Sequence, residues 1–407
     1  MTGAPALAGS APAPAPSGAS RAGAADLHAG PPVRVVHVVW NFDGGGLESL
    51  VATLARRLLD TRFRTSVVSL SGRVGRLGAE LAPVLEDMRA LKPRRVVSMI
   101  APLGLARLLR EMRADVVHLH SGVWYKGALA ARMAGVRTVV FTEHGREHDD
   151  PLSARLSDGI AARMTDVVVP VSPRLAGYLE RRLHVPAARL RVIQNAVDTH
   201  LFAPAPPPAT LRGAMGIPAD ALVVGAVGRL VAVKGYDGLI DAVALLRGRT
   251  DGRPVHLVLC GDGPDATSLA ARAAERGIGD AVHFAGWQSP ATPYYRLFDV
   301  LALSSHSEGL SLSLLEGMAC GAAPVVTDVG ANREVLGTAL AGYVVPPRDV
   351  PALADAIGRL LGDDAARARA RLAARARVEE AYDLDAMVAA YAAIYARGAR
   401  GAHRPRG

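Results

Sequence analysis

The sequence predicts an α/β protein built as two doubly wound parallel-sheet domains that face each other across a cleft. Two observations carry the prediction. Short runs rich in Val, Ile and Leu alternate with Ala/Leu/Arg stretches of helical spacing, as strands covered by helices on both faces should. The alternation stops at a proline-rich break, APAPPPAT (203–210), and then begins again, so two βα series follow one another. A chain of 407 residues, 50% of them hydrophobic, can give each series its own core.

The elements follow in order. Residues 1–31 begin MTGAPALAGSAPAPAPSGAS, with no basic start before an apolar block. They are expected to be a disordered tail and not a secretory signal. The first domain, 32–202, carries VRVVHVVW (33–40), RTSVVSL (64–70), RRVVSMI (94–100), DVVHLH (115–120), RTVVFTEH (137–144), DVVVPVS (166–172) and RLRVIQNAV (189–197) as candidate strands. A linker is expected over 203–215. The second domain, 216–382, carries LVVGAVG (222–228), VHLVLCG (255–261), AVHFAGW (281–287), VLALSS (300–305), APVVTD (323–328) and GYVVPP (342–347). In the last helical stretch Met387, Val388, Tyr391, Ile394 and Tyr395 fall on one stripe. A helix over 383–398 is therefore expected to pack back on the first domain, with 399–407 a second tail.

Composition narrows the function classes. The two cysteines, Cys260 and Cys320, sit in apolar contexts, which fits a reducing, cytoplasmic setting better than a disulfide scaffold. No run reaches the roughly eighteen apolar residues a membrane span needs. The net charge is +9, and ten basic residues face four acidic ones between Arg56 and Arg95. That region reads as a solvated face or as a patch for an anionic membrane surface, which would make the protein peripheral on the inner leaflet. Aromatic residues are only 4% of the chain and do not interleave with the patch, so nucleic acid is not an expected partner.

Ligands of open α/β sheets bind beyond the carboxyl ends of the strands, and two loops there stand out. GRLVAVKGYDGLI (228–240) places Arg229 and Lys234 between glycines Gly228 and Gly235, after one strand and before a helix. Lys234 is one of only three lysines. Together the two cations could offset most of a diphosphate's charge, although two exposed loop cations would be the plainer reading. SEGLSLSLLEGMACG (307–321) places Glu308 in a loop and Glu316 about a turn and a half into the next helix. The amides of Gly309, Leu310 and Ser311 would be the free donors at the helix start, a ready anion site. Glu316 is flanked by Leu314, Leu315, Met318 and Ala319, and an acid so placed needs a partner. Among the twelve histidines, His144 follows a strand and precedes a glycine, which suits a cleft position. His120 is a second candidate of the same kind, whereas His118 reads as core. For a metal, DLD (383–385) is better explained as a helix cap, and EHDD (147–150) with His144 matches no ligand spacing, so no metal is expected.

These motifs, with CGDGP (260–264), VSPRL (171–175), IQNAVDTHLF (193–202) and DGGGLESLV (43–51), resemble the retaining glycosyltransferases of the GT-B fold, family 4 (group 1), in order and spacing over 33–395. Within that family, VVHVVWNFDGGGLESLVATL and FTEHGRE (141–147) are similar to sugar transferases of bacterial exopolysaccharide and exosortase-associated systems. The resemblance implies a nucleotide-diphosphate sugar as donor substrate, no cofactor, and a saccharide or lipid-linked saccharide as acceptor. It implies that Arg229 and Lys234 neutralise the donor diphosphate and that Glu316 takes the ribose hydroxyls. Glu308 would meet the donor sugar, Gly309, Leu310 and Ser311 would offer amides, the Gly45–Gly46 loop would approach phosphates or acceptor, and His144 would face the reacting sugar. A nicotinamide dehydrogenase would need G-x-G-x-x-G after the first strand, and NFDGGGLES lacks that spacing. A non-catalytic binding subunit and a sugar-nucleotide epimerase stand as the alternatives.

Overall fold

The computed structural model describes residues 27–91, 102–145, 151–248, 250 and 252–400. It contains two six-stranded sheets, every pairing parallel, in the orders β3-β2-β1-β4-β5-β6 and β12-β11-β10-β7-β8-β9. The first sheet is β1 (Val33–Val39), β2 (Phe63–Ser69), β3 (Asp87–Ala90), β4 (Val116–His120), β5 (Thr138–Glu143) and β6 (Val167–Pro170). The second is β7 (Leu222–Val227), β8 (Val255–Cys260), β9 (Val282–Gly286), β10 (Val300–Leu303), β11 (Ala323–Thr327) and β12 (Val344–Val345). The central strands β1, β4, β7 and β10 are buried along nearly their whole length, which is why their sequences do not alternate.

Helix starts are set by local chemistry. Ser172 caps the helix Pro173–Leu183 by accepting the Leu175 amide, and Ser311 caps Leu312–Ala319 by accepting the Leu314 amide. Asp349 and Asp363 cap Val350–Gly362 and Asp364–Ala381 in the same way.

The second sheet and its helices share one core, with Phe298, Tyr295, Leu314 and Met318 fully buried in it, and Val171, Leu175 and Val197 join it from the first unit's side. The first sheet has two faces. Val36, Val38, Val117 and Val139 pack on one side with Leu105, Leu109 and Trp124. Val33, Val35, Val116 and Val140 pack on the other with Leu384, Met387, Val388, Tyr391 and Tyr395 of the final helix, Leu384–Arg400. Burying each of those large side chains is worth about 1.5–3 kcal/mol over exposure, enough to hold the chain's end on the first sheet. The cap of this helix is Asp383, whose Oδ1 accepts the Ala386 amide at 2.6 Å. The chain passes between the two units twice, and the two threads touch: Val197 and Asp383 form a parallel bridge.

One expected strand is not formed, and one strand is formed where none was expected. The run 189–197 is not a strand. It runs beside β6, bridging at Leu190 with the Arg191 and Ile193 amides donating to the Val168 and Pro170 carbonyls, and then meets the second unit, where the Asn195 side chain donates to the Leu310 carbonyl at 2.9 Å. Of its apolar residues, Ile193 and Ala196 are buried in the first unit's core beside the final helix and Val197 in the second unit's core, none of them within a sheet. The strand at the β2 edge is Asp87–Ala90, a short polar segment paired on one side only and partly exposed, which gives no apolar run to read. The run 94–100 lies outside the described residues. Residues Ala209–Ala214 of the expected linker form a short helix.

Candidate active site

The loop after β7 is shaped by its glycines. Gly235 sits at φ +62, a left-handed conformation, and a Cβ there would lie 2.4 Å from the Ser304 carbonyl oxygen. The turn therefore folds Lys234 directly against the loop after β10. Lys234 Nζ donates to Glu308 Oε1 at 2.6 Å, Ser305 Oγ donates to the same oxygen at 2.6 Å, and Ser304 Oγ holds the Lys234 carbonyl at 2.9 Å. The side chains of the pair keep 23% and 10% of their surface exposed, so the charges are half-removed from water yet reachable by a ligand. Arg229 of the same loop is exposed. It acts across the cleft on Glu48, in the first turn of Gly46–Arg57: burial raises the Glu48 carboxyl, and the Arg229 charge pulls it partly back.

Glu316 lies in the helix capped by Ser311, and its partner is Tyr295, whose hydroxyl donates to Oε2 at 2.7 Å. Burial pushes this carboxyl up to about 7, although the Tyr295 bond works in the other direction. Near neutral pH the site thus holds an acid that can be either donor or acceptor.

The first unit meets this edge at His144. A Cβ on Gly309 would lie 1.5 Å from the His144 carbonyl oxygen, so only glycine lets the two loops touch. Gly309, Leu310 and Ser311 consequently lie beside the loop after β5. The loop after β1 approaches the second unit at Gly44, packed on the Trp287 ring. A Cβ on Gly45 would meet the Glu48 carboxylate, and one on Gly46 would meet nothing within 4 Å. Arg76 also reaches across, 3.3 Å from Asp262, with its guanidinium 5.3 Å from the centre of the Trp287 ring. Two surface hollows of about 230 and 310 Å³ lie elsewhere on the first unit and share no residue with this set.

His144 belongs to a group the sequence reading separated. His37 Nδ1 lies 3.0 Å from His120 Nε2, and His120 Nδ1 lies 3.0 Å from His144 Nε2. His118, beside them, bonds Tyr395 and Thr142, each at 2.7 Å. His118 is core, as its place within a strand implied, but His120 is fully buried too. The missed signal was spacing: His118 and His120 are two apart on β4, Thr142 and His144 two apart on and after β5, and His37 is in register with His118. All therefore share one sheet face. Ligand atoms of His37, His118 and His120 lie within 4.8 Å of one another, a spacing that could hold a metal ion. The donor set fits an ion poorly. Nearly every nitrogen already has a partner, and no carboxylate is in the group to offset a buried dication.

Comparison with known proteins places the chain in a family. Residues 44–201 match the Glycosyltransferase Family 4 model and residues 209–378 the model for Glycosyl transferases group 1. The alpha-D-kanosaminyltransferase of Streptomyces kanamyceticus is 31% identical over 307 residues, covering 71% of this chain and 78% of that protein. The chain belongs to the family 4 glycosyltransferases. Membership makes it an enzyme that takes a hexose from a nucleotide-sugar donor with retention. Another similar protein is the D-inositol 3-phosphate glycosyltransferase of Thermobispora bispora, 29% identical over 89% of this chain and 92% of that one. The fold is that of the Anabaena protein Alr3699/HepE solved with UDP, with a TM-score of 0.75, 22% identity and coverage of 89% and 99%. It is also that of the lipopolysaccharide outer core galactosyltransferase WaaB, with a TM-score of 0.62, 18% identity and coverage of 91% and 99%. Among the described residues of this glycosyltransferase, no helix is long and apolar enough to cross a membrane.

Proposed function

We propose that this glycosyltransferase moves a hexose from a nucleoside-diphosphate sugar to a hydroxyl of a saccharide or lipid-linked saccharide. The product would be a cell-surface or extracellular polysaccharide of the exopolysaccharide, exosortase-associated kind. One observation carries the reading: a partly buried Lys234–Glu308 pair, 2.6 Å apart, directly precedes the backbone amides of Gly309, Leu310 and Ser311, at the start of the helix that Ser311 caps. A diphosphate would draw Lys234 from Glu308 and meet Arg229 and those amides as well. Glu308, released, would accept hydroxyls of the donor sugar, and Glu316 those of the ribose.

As the leaving oxygen departs, positive charge grows at the anomeric carbon and negative charge on the phosphate. Lys234, Arg229 and the amides stabilise the latter in a site the two units shield from water. Retention without an enzyme nucleophile implies attack on the same face, with the departing phosphate taking the acceptor's proton. His144 would face the reacting sugar, and Gly45 and Gly46 would bring amides to the phosphates or the acceptor. UDP is the first candidate nucleotide, since the Anabaena protein was solved with UDP and with UDP-glucose.

The basic region 56–95 is proposed to rest on the anionic inner leaflet, beside a lipid-linked acceptor. It should bind anionic vesicles at low salt and release them at high salt; salt-insensitive or absent binding counts against it. The donor reading is tested by a thermal-shift screen of nucleoside diphosphates and their sugars. A true donor raises the melting temperature in proportion to the logarithm of its concentration, and no response to any of them would overturn the proposal.

A further inference from the structure

The three rings His144, His120 and His37 form one continuous hydrogen-bonded row across β5, β4 and β1. Their planes are nearly parallel, with centroids 5.3 Å apart at each step and interplanar angles of 29° and 15°. Each end of the row is a covered nitrogen with no partner: Nδ1 of His144 and Nε2 of His37. Burial keeps all the rings neutral. His37 and His144 are pushed down to about 3, and His120 and its neighbour His118 well below the usual range.

Neutral imidazole has one N–H and one bare nitrogen. Two bonds in a row of three such rings therefore permit only two proton arrangements. Either every ring carries its hydrogen on Nδ1, or every ring carries it on Nε2. Any mixture sets two hydrogens or two lone pairs face to face at 3.0 Å. The tautomer of His144 is thus tied to that of His37, two strands away at the sheet's centre. Each arrangement leaves one covered N–H without an acceptor, at Nε2 of His37 or at Nδ1 of His144. His37 is fully buried at the sheet's centre, whereas His144 is only partly buried beside the cleft, so an acceptor from water or ligand can come to the row only at the His144 end. With hydrogen on Nδ1, the inner end is a bare nitrogen. No proton can leave through it, so the row does not conduct.

We propose that His37 and His120 are positioning residues that lock His144 as the neutral tautomer protonated on Nδ1, so that the ring beside the cleft offers its ligand a hydrogen-bond donor and never a base. The inference rests on the reading that His144 faces the reacting sugar. It also assigns the kind of atom met there: a sugar or phosphate oxygen acting as acceptor. The unpartnered Nδ1 is covered, so such an oxygen reaches it only as the residues over it shift on binding.

The test uses the full-length chain with ¹⁵N-labelled histidine and long-range ¹H–¹⁵N correlation spectra, His144 being assigned by its loss in His144→Gln. The expected result is a neutral His144 protonated on Nδ1. In His37→Val, which suits the strand but cannot bond His120, the His144 signal should become a mixture of tautomers. Its kcat should fall on the order of tenfold, with the donor KM little changed. His37→Asn, which keeps a donor near the Nδ1 position, should restore both. Hydrogen on Nε2 of His144 in the wild type, an unchanged tautomer in His37→Val, or stoichiometric zinc in the purified protein would each overturn the lock. The wild-type spectrum decides the tautomer even if His37→Val fails to fold. Full activity in His144→Gln with the expected spectrum would instead overturn the sugar-facing reading and leave the lock standing.

Discussion

Replacing Glu316 by Gln should make the protein more stable and a worse enzyme, and the two effects should separate by pH. Burial raises the Glu316 carboxyl from the usual 4.5 to about 7. At about 1.4 kcal/mol per tenfold change, ionising it in the fold costs up to about 3 kcal/mol more than in the unfolded chain. The side chain keeps part of its surface accessible, so that figure is a ceiling. Below pH 4.5 the group is protonated in both states and no cost arises. As pH rises from 4.5 to 7 only the unfolded chain ionises, so the fold loses ground, and above 7 the loss is complete. Gln never ionises, and its carbonyl can still accept the Tyr295 hydroxyl, now 2.7 Å from Oε2. Urea unfolding of both proteins at pH 5 and 8.5 gives the comparison, and subtracting wild type from variant removes every other titrating group. The variant's advantage should be at least 1 kcal/mol larger at pH 8.5 than at pH 5, while donor affinity falls on losing the acceptor proposed for the ribose. An equal advantage at both pH values, or none, refutes the buried-acid argument.

Three further outcomes follow from the same geometry. Lys234→Met removes the cation and leaves the Glu308 carboxylate with Ser305; kcat/KM should fall on the order of 10²- to 10³-fold, and a loss under tenfold in steady-state assays would contradict the role given to Lys234. Gly309→Ala places a methyl 1.5 Å from the His144 carbonyl oxygen, so it should lower the melting temperature or weaken donor binding by forcing the loops apart; normal values of both would refute the contact. The buried imidazoles His37 and His144, held near 3, stay neutral while unfolded ones protonate near 6.5, so they add a loss of stability as pH falls from 6.5 towards 3. They should leave kcat without a histidine inflection between pH 5 and 8, and an inflection that disappears in His144→Gln would show a titrating ring.

Much of the fold was legible because parallel strands buried on both faces write continuous apolar runs. Where the pattern lost its physical cause, legibility went with it. Asp87–Ala90 is an edge strand with one neighbour, so its residues are polar. The apolar residues of 189–197 are buried in both cores, Ile193 and Ala196 in the first unit's and Val197 in the second's, which a linear reading cannot distinguish from a sheet. In the site, the Lys234 loop was readable because its flanking glycine answers a local constraint, the left-handed turn at Gly235. The need of Glu316 for a partner was readable too, but not that Tyr295 supplies it, since that contact depends on tertiary packing. The histidine row was hidden differently. Each member looks ordinary within its own strand, and only register aligns them.

The bridge between Val197 and Asp383 has a mechanical consequence. Both crossings of the polypeptide run through one spot, so the halves cannot slide past each other without stretching backbone. They can swing about that spot, as covers swing about a spine. Opening for substrate entry is then a change of angle, widest at the lips farthest from residue 197, and an insertion in either thread should alter the rate of opening before it alters any contact in the closed form.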